Sequence, residues 1–262
     1  MHPILVHIPT PWGELPLYSY SVMVVVAYFA GTAYAYFEAK RLGENPEKVL
    51  DLSFYFFLAG ILGARLLEVI VNWPRFASSP LDIFKIWEGG LTYYGGFIAS
   101  IIASLVFIRY HKLPLRKWAD LLAPVAMIAL GFGRIGCFLN GCCYGRPAPH
   151  LPWAVTFPPG RLPAPLDGLP LHPTQLYESL IAFVIAGITI ALERRPHRPG
   201  VVLWTMFLLY AVARFFLEFL RLDPRGGITA LGLSTSQAIS LPLALLGLLA
   251  LLWTFRPRPS KL

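Results

Sequence analysis

Seven stretches of this chain stay apolar for about the 20 residues that a helix needs to cross a bilayer: residues 19–38, 50–71, 92–109, 119–139, 174–192, 200–220 and 237–255. Lipid offers the backbone no hydrogen bonds, and a helix needs none from outside. The pattern therefore predicts an all-α, polytopic integral membrane protein with about seven transmembrane helices. A soluble core has no use for so much apolar helix: 56% of the residues are hydrophobic, 14% are charged and the mean hydropathy is +0.60. The first stretch has no basic run before it and no small-residue cleavage site after it, so it is expected to remain as a helix in the mature protein. No internal repeat, low-complexity tract or compositional shift marks a second domain. The expectation is a single transmembrane domain over residues 1–262, with loops 72–91 and 140–173 forming a cap on the outer side.

Orientation follows from the loop charges, because Lys and Arg in short loops stay cytoplasmic. One set of alternate loops holds Lys40, Arg41 and Lys48, then Arg109, Lys112, Arg116 and Lys117, then Arg194, Arg195 and Arg198, then Arg256, Arg258 and Lys261. The other set holds only Arg75, Lys85, Arg146, Arg161, Arg221 and Arg225. This bias predicts an outside N-terminus and a cytoplasmic C-terminus. The net charge of +8 then calls for no nucleic acid, since most of it lies in inner loops that meet anionic lipid headgroups.

Three basic residues remain, Arg65, Arg134 and Arg214, and each falls inside a span. On insertion scales each costs roughly 2.5–3.5 kcal/mol at a helix centre, so each needs a partner or a purpose. Counted from Val201 at about 1.5 Å per residue, Arg214 lies about 20 Å into its span, and the same counting puts Arg65 and Arg134 in the outer halves of theirs. Three arginines at one depth point to one anionic ligand. An alternative stays open for two of them: Arg65 with Glu68, and Arg214 with Glu218, have the spacing of intrahelical ion pairs. Arg134 has no acidic residue within a turn.

The surroundings of these arginines are patterned. In LLYAVARFFLEFLR, Tyr210, Arg214, Glu218 and Arg221 follow one another at helical steps and share a face. In GILGARLLE, Gly60, Gly63 and Ala64 allow a second helix to come close. LHPTQLYE opens a span with Pro173 at a first helical position, His172 just before it, and Gln175 and Glu178 on one face. His172 is read either as a solvated loop residue or as part of the site. WEGGLTYYGGFI brackets Tyr93 and Tyr94 with glycine pairs, which serve either a backbone approaching a ligand or an ordinary re-entry turn. GFGRIGCFLNGCCYGRP places Arg134 just ahead of all three cysteines, Cys137, Cys142 and Cys143. These suit buried thiols, a disulfide from Cys137 to either neighbour, or ligation, but no histidine joins them and no metal site is expected.

PLYSYSVMV, WEGGLTYYGG, GRIGCFLNGCCYG, HPTQLYE, YAVARFFLEFLR and LSTSQAISLPL, taken together and in this order, make the chain resemble the bacterial prolipoprotein diacylglyceryl transferases over nearly its whole length. The resemblance implies an inner-membrane enzyme, monomeric and free of cofactors, with its active site toward the outer leaflet. Its reaction carries the diacylglyceryl group of phosphatidylglycerol to the lipobox cysteine of a preprolipoprotein, the first step of lipoprotein maturation. It also implies that Arg134 binds phosphatidylglycerol, that Arg214 is essential, and that Tyr20, Asn140, Gly145, Tyr210 and Glu218 are functional. Three positions depart from the family pattern. Cys137 stands where Asn is usual, Cys142 where Glu is usual, and Tyr94 where a His is usual. The last change leaves the general base open between Tyr94 and His172.

The chemistry of such a transfer asks for the same residue types. A thiolate must be stabilised and a phosphate leaving group neutralised, and guanidinium forks do the second better than ammonium groups. Arg134, Arg214, Tyr94 and His172 are the expected catalytic residues. Tyr20, Arg65, Asn140, Gly145, Gln175, Glu178, Tyr210, Glu218 and Arg221 complete the expected substrate site. Two other classes would also bury arginines: a transporter of anionic lipid or solute, which calls for repeats and broken helices, and a non-catalytic lipid-binding paralogue.

Overall fold

The computed structural model describes residues 3–10, 13–160, 162–222 and 232–255. Of the loop charges counted above, Arg161, Arg225, Arg256, Arg258 and Lys261 lie outside these residues. Seven helices are long and apolar enough to cross a membrane. They are α1 (Ser19–Arg41), α2 (Pro46–Val71), α4 (Tyr93–Tyr110), α5 (Leu115–Asn140), α6 (Thr174–Glu193), α7 (Val201–Leu217) and α8 (Thr235–Phe255), with a short α3 (Trp73–Ser78) between α2 and α4. Each coincides with an expected span. Outside the spans the structure adds what hydropathy does not reveal: two small antiparallel strand pairs, β1 (Ile4–Thr10) with β2 (Gly13–Tyr18), and β3 (Val155–Thr156) with β4 (Pro170–Leu171).

By packing, the chain divides into two compact units, one holding the residues up to Tyr34 and from Ala119 onward, the other Ala35–Trp118. The second unit is built on α2 and α4. Gly96 sits so close that a Cβ there would come within 2.8 Å of the Gly60 carbonyl oxygen, and a Cβ on Gly63 would overlap Ala99 and the Gly95 carbonyl. Small residues therefore let the two backbones touch, and Ser100 Oγ donates to the Phe56 carbonyl across the contact at 2.9 Å. Asn45 caps α2, its side chain accepting from the Glu47 N–H at 2.9 Å, with Pro46 at the first helical position.

This unit explains Arg65. Its Nε donates to the Ile83 carbonyl at 2.9 Å, its Nη1 to the carbonyls of Gly89 and Gly90 at 2.8 and 2.9 Å, and its Nη2 to those of Asp82 and Lys85. The guanidinium also lies 5.0 Å over the Phe76 ring. Gly89 and Gly90 have φ of +89° and +72°, which glycine alone adopts without strain. A Cβ on Gly90 would stand 3.0 Å from Arg65 Nη1. The expected pairing of Arg65 with Glu68 is absent. Glu68 instead accepts from Thr92 Oγ1 at 2.6 Å and Asn72 Nδ2 at 2.8 Å, tying the turn before α4 back to α2. Farther along the same loop, the Lys85 ammonium 2.7 Å from Asp82 holds that carboxyl below its ordinary range.

In the first unit, Ala123, Met127, Ile185, Ala186, Val202 and Met206 form the core where α5, α6 and α7 meet. Asp120 on α5 caps α7, accepting from the Gly200 and Leu203 N–H groups at 2.5 and 2.8 Å. Gly131 is the close-approach point between α5 and α6. A Cβ there would come within 2.6 Å of the Phe183 ring, and Ser179 Oγ donates to the Gly131 carbonyl at 2.9 Å. Three residues beyond Gly131, α5 carries Arg134, and directly before Ser179, α6 carries Glu178.

Candidate active site

The site grows from the first turn of α6. Thr174 Oγ1 donates to the Cys143 carbonyl at 2.9 Å, and Gln175 Nε2 to the Cys142 carbonyl at 2.7 Å. Both side chains are fully buried, so the polar start of α6 is spent on holding the loop that leaves α5. Gln175 Oε1 is buried with no partner among the described residues. That loop next passes through a narrow gap at Gly145, where a Cβ would come within 2.6 Å of His172 Cβ, 2.7 Å of the Leu220 carbonyl oxygen and 2.7 Å of Thr174 Cγ2. The Gly145 N–H donates to the His172 carbonyl at 3.1 Å, and the Arg146 N–H to the Leu220 carbonyl at 2.8 Å. Residues 145–146 are thereby clasped between the chain entering α6 and the chain leaving α7.

A continuous chain of charge lies behind this clasp. Arg134 Nε is 3.0 Å from Glu178 Oε2, and Arg221 Nη1 reaches the same oxygen at 3.3 Å. Tyr210 Oη donates to Glu178 Oε1 at 3.1 Å. Arg221 Nε lies 4.0 Å from Glu218 Oε2, which is 2.8 Å from Arg214 Nη1, and Arg214 Nη2 donates to Ser236 Oγ at 3.0 Å. The face expected from Tyr210, Arg214, Glu218 and Arg221 is thus real. Its last step is not helical: the backbone tightens to a 3-10 turn over Glu218–Leu220, and Arg221 is extended. The expected Arg214–Glu218 pair forms as well, so Arg214 belongs both to an intrahelical pair and to the cluster.

Two contacts in the chain are close without being aligned. Arg134 Nε and Arg214 Nη1 are within ion-pair distance of their carboxylates, yet neither N–H points at one. Among the described residues Arg134 makes no aligned hydrogen bond to an oxygen, and its Nη1 lies 3.9 Å from Cys137 Sγ. Among the described residues three arginines meet two carboxylates here, on side chains that are at most 14% exposed. A buried site of this kind favours an anion that can accept from guanidinium forks.

The remaining expected residues take separate places. Tyr20, in the first turn of α1, packs on Gly136, where a Cβ would come within 3.1 Å of its ring. Asn140 ends α5 beside the cysteine loop. His172 Nδ1 is 3.4 Å from Tyr177 Oη, and Trp153 Nε1 donates to that hydroxyl at 2.7 Å. Tyr94 is 69% exposed at the start of α4 and packs edge-on to Tyr93, in the other unit with Arg65. The sequence reading missed Ser236 as a partner of Arg214. The signal was present in LSTSQ: Ser234 and Gln237 form a capping box, with Gln237 N–H donating to Ser234 Oγ at 3.2 Å and Ser234 N–H to Gln237 Oε1 at 3.1 Å. That cap fixes the register of α8 and aims Ser236 at Arg214.

All three cysteines are thiols in the structure. The Cys142 thiol is raised above its ordinary range. Contact with Cys137 favours its ionised form, but Cys143 and burial oppose it and prevail.

The family model of prolipoprotein diacylglyceryl transferases matches residues 3–253. A phosphatidylglycerol–prolipoprotein diacylglyceryl transferase of Erwinia tasmaniensis is 35% identical, the match covering 95% of this chain and 92% of that protein. Similar proteins of the same name occur in Geobacter sulfurreducens, 36% identical over 90% of each chain, and in Pseudomonas fluorescens, 37% identical over 95% of this chain and 93% of the relative.

Proposed function

This chain belongs to the prolipoprotein diacylglyceryl transferase family, and we propose that it transfers the diacylglyceryl group of phosphatidylglycerol to the thiol of a lipobox cysteine in a preprolipoprotein. The observation that carries the reading is the pair of unaligned guanidiniums: Arg134 Nε and Arg214 Nη1 lie beside Glu178 and Glu218 without an aligned hydrogen bond to either. A phosphodiester headgroup accepts hydrogen bonds from these two guanidiniums.

In the reaction the cysteine sulfur forms a bond to the glyceryl carbon that carries the phosphate, the carbon–oxygen bond breaks, and glycerol phosphate leaves with the electron pair. Charge grows on the departing phosphate oxygens, and Arg134 and Arg214, whose N–H groups are not committed to their carboxylates, meet it there. Glu178, Tyr210, Glu218 and Arg221 hold the two guanidiniums in place. Gln175, with its buried acceptor oxygen, and Asn140 receive hydroxyls of the headgroup glycerol. Gly145 lets the clasp close, and Tyr20 lines the entry of the lipid. His172 takes the thiol proton, with Tyr94 as the rival base. Arg65 acts by fastening residues 82–90.

The loop-charge bias supports a bacterial inner-membrane protein with an outside N-terminus, a cytoplasmic C-terminus, and loops 72–91 and 140–173 on the outer side, where the donor lipid and the preprolipoprotein meet. The chain acts as a monomer. The test is reconstitution of the full chain in vesicles with labelled phosphatidylglycerol and a lipobox peptide. Label should move to the peptide thiol, and the same chain should restore growth to a transferase-depleted bacterium. Binding of the lipid with no transfer to peptide would make this chain a lipid-binding paralogue instead.

A further inference from the structure

The three cysteines converge. Cys137 is in the last turn of α5, and Cys142 and Cys143 lie in the loop that follows. Their sulfurs all lie within 4.8 Å of one another, and those of Cys142 and Cys143 are 3.6 Å apart. Thiolates bound about 2.3 Å from one tetrahedral or trigonal centre stand about 3.8–4.0 Å from each other, so small side-chain rotations bring this cluster to ligand geometry.

The backbone is held to produce the convergence. Cys143 has φ of +67°, a left-handed conformation that non-glycine residues rarely adopt. Its carbonyl is held by Thr174 and that of Cys142 by Gln175, while the Cys142 N–H donates to the Cys137 carbonyl at 3.1 Å. A disulfide explains two sulfurs and leaves the third without a reason, and a bridge between adjacent cysteines is strained. A soft cation uses all three. Burial of Cys137 and Cys143 shields the sulfurs from water, and half-buried Cys142 leaves a way in. Arg134, 3.9 Å from Cys137 Sγ, offsets the excess negative charge that three thiolates carry around a monovalent or divalent ion.

We propose that Cys137, Cys142 and Cys143 form a binding site for one thiophilic d10 cation, Zn2+ or Cu+, with three sulfur ligands. Each thiol releases its proton to solvent as its sulfur binds. The site stands beside the lipid site, and the proposal does not depend on the transferase reading.

The full chain, reduced in detergent and stripped with a chelator, is loaded in one arm with Zn2+ and in the other with Cu+ under anaerobic conditions against a competing chelator. One ion per chain is expected in one arm, with three thiols protected from maleimide and a sulfur shell at about 2.3 Å by X-ray absorption. Cys142→Ser and, separately, Cys143→Ser should each lower affinity by about tenfold or more, with helix content unchanged by circular dichroism. Comparison of two separate substitutions guards against loss of fold in one of them. No bound ion in either arm, or an ion held equally well by both variants, overturns the proposal.

Discussion

Half-buried Arg134 on α5 and buried Glu178 on α6 stand 3.0 Å apart, with a contact that is close in distance but not aligned as a hydrogen bond. The carboxylate neutralises the guanidinium without occupying its fork, which is how a buried arginine stays available to a second anion. Arg134→Lys keeps the charge and loses the fork. Transfer should fall by about 100-fold or more in Arg134→Lys and below detection in Arg134→Ala, while both still insert. The assay is labelled-lipid transfer at equal amounts of membrane-integrated protein. Parental rates in Arg134→Ala would remove this residue from the phosphate site.

Gly145 tests the clasp. A methyl group there meets His172, Thr174 and the Leu220 carbonyl at 2.6–2.7 Å, so Gly145→Ala must push apart the entry to α6 and the 3-10 turn after α7. The expected cost is about 1–3 kcal/mol of stability. Because Arg221 follows Leu220 directly, apparent affinity for phosphatidylglycerol should weaken as well. Thermal unfolding and the KM for lipid report the two effects, and neither changing would mean that the gap is not as tight as described.

How much of this was readable from the chain depends on the range of each contact. The spans were legible because hydropathy is a local property, and so was the α7 face, because Tyr210, Arg214 and Glu218 recur at the helical period. The partners were not. Glu178 is 32 residues from Tyr210 and 43 from Arg221, and Ser236 is 22 from Arg214. Arg65 shows the same limit: helical spacing nominated Glu68, whereas the guanidinium found carbonyls 17–25 residues away in a glycine-rich loop. The β1–β2 pair carries prolines in both strands, Pro9 and Pro16, which break the local strand pattern.

Arg65 itself yields a stability prediction. Its guanidinium donates to five carbonyls between residues 82 and 90, so Arg65→Ala should destabilise the fold by about 3 kcal/mol or more. Arg65→Lys should recover little, since an ammonium cannot span the same set of oxygens. Limited proteolysis should cut between residues 80 and 91 in both variants and not in the parent. An uncut loop in Arg65→Ala would show that other contacts hold it.

Topology is tested by tags. A reporter after Leu262 should be cytoplasmic, and a tag before Met1 should be reached from outside by an impermeant reagent. Both ends on one side would contradict an odd number of crossings and the orientation drawn from the loop charges.

The proton acceptor separates two residues that the fold presents differently. His172 borders the Gly145 clasp and has Tyr177 Oη 3.4 Å from its Nδ1, which fixes the ring, whereas Tyr94 is largely exposed and packs edge-on to Tyr93. An imidazole accepts protons near neutrality, and a phenol requires ionisation near pH 10 before it can. A general base must be unprotonated to act, so a histidine base makes the rate climb with pH along an acidic limb and then level off. His172→Gln should abolish this acidic limb and lower transfer by about 100-fold or more, since general-base removal costs on the order of 10²–10⁴. Tyr94→Phe should keep the limb with a smaller loss, and Tyr94→His should retain activity. Rates for the three variants from about pH 5 to 9 decide between them. Loss of the limb in Tyr94→Phe alone would move the role to Tyr94. An unchanged profile in every variant would exclude both residues and leave the thiol proton to water or to the substrate phosphate beside Arg134.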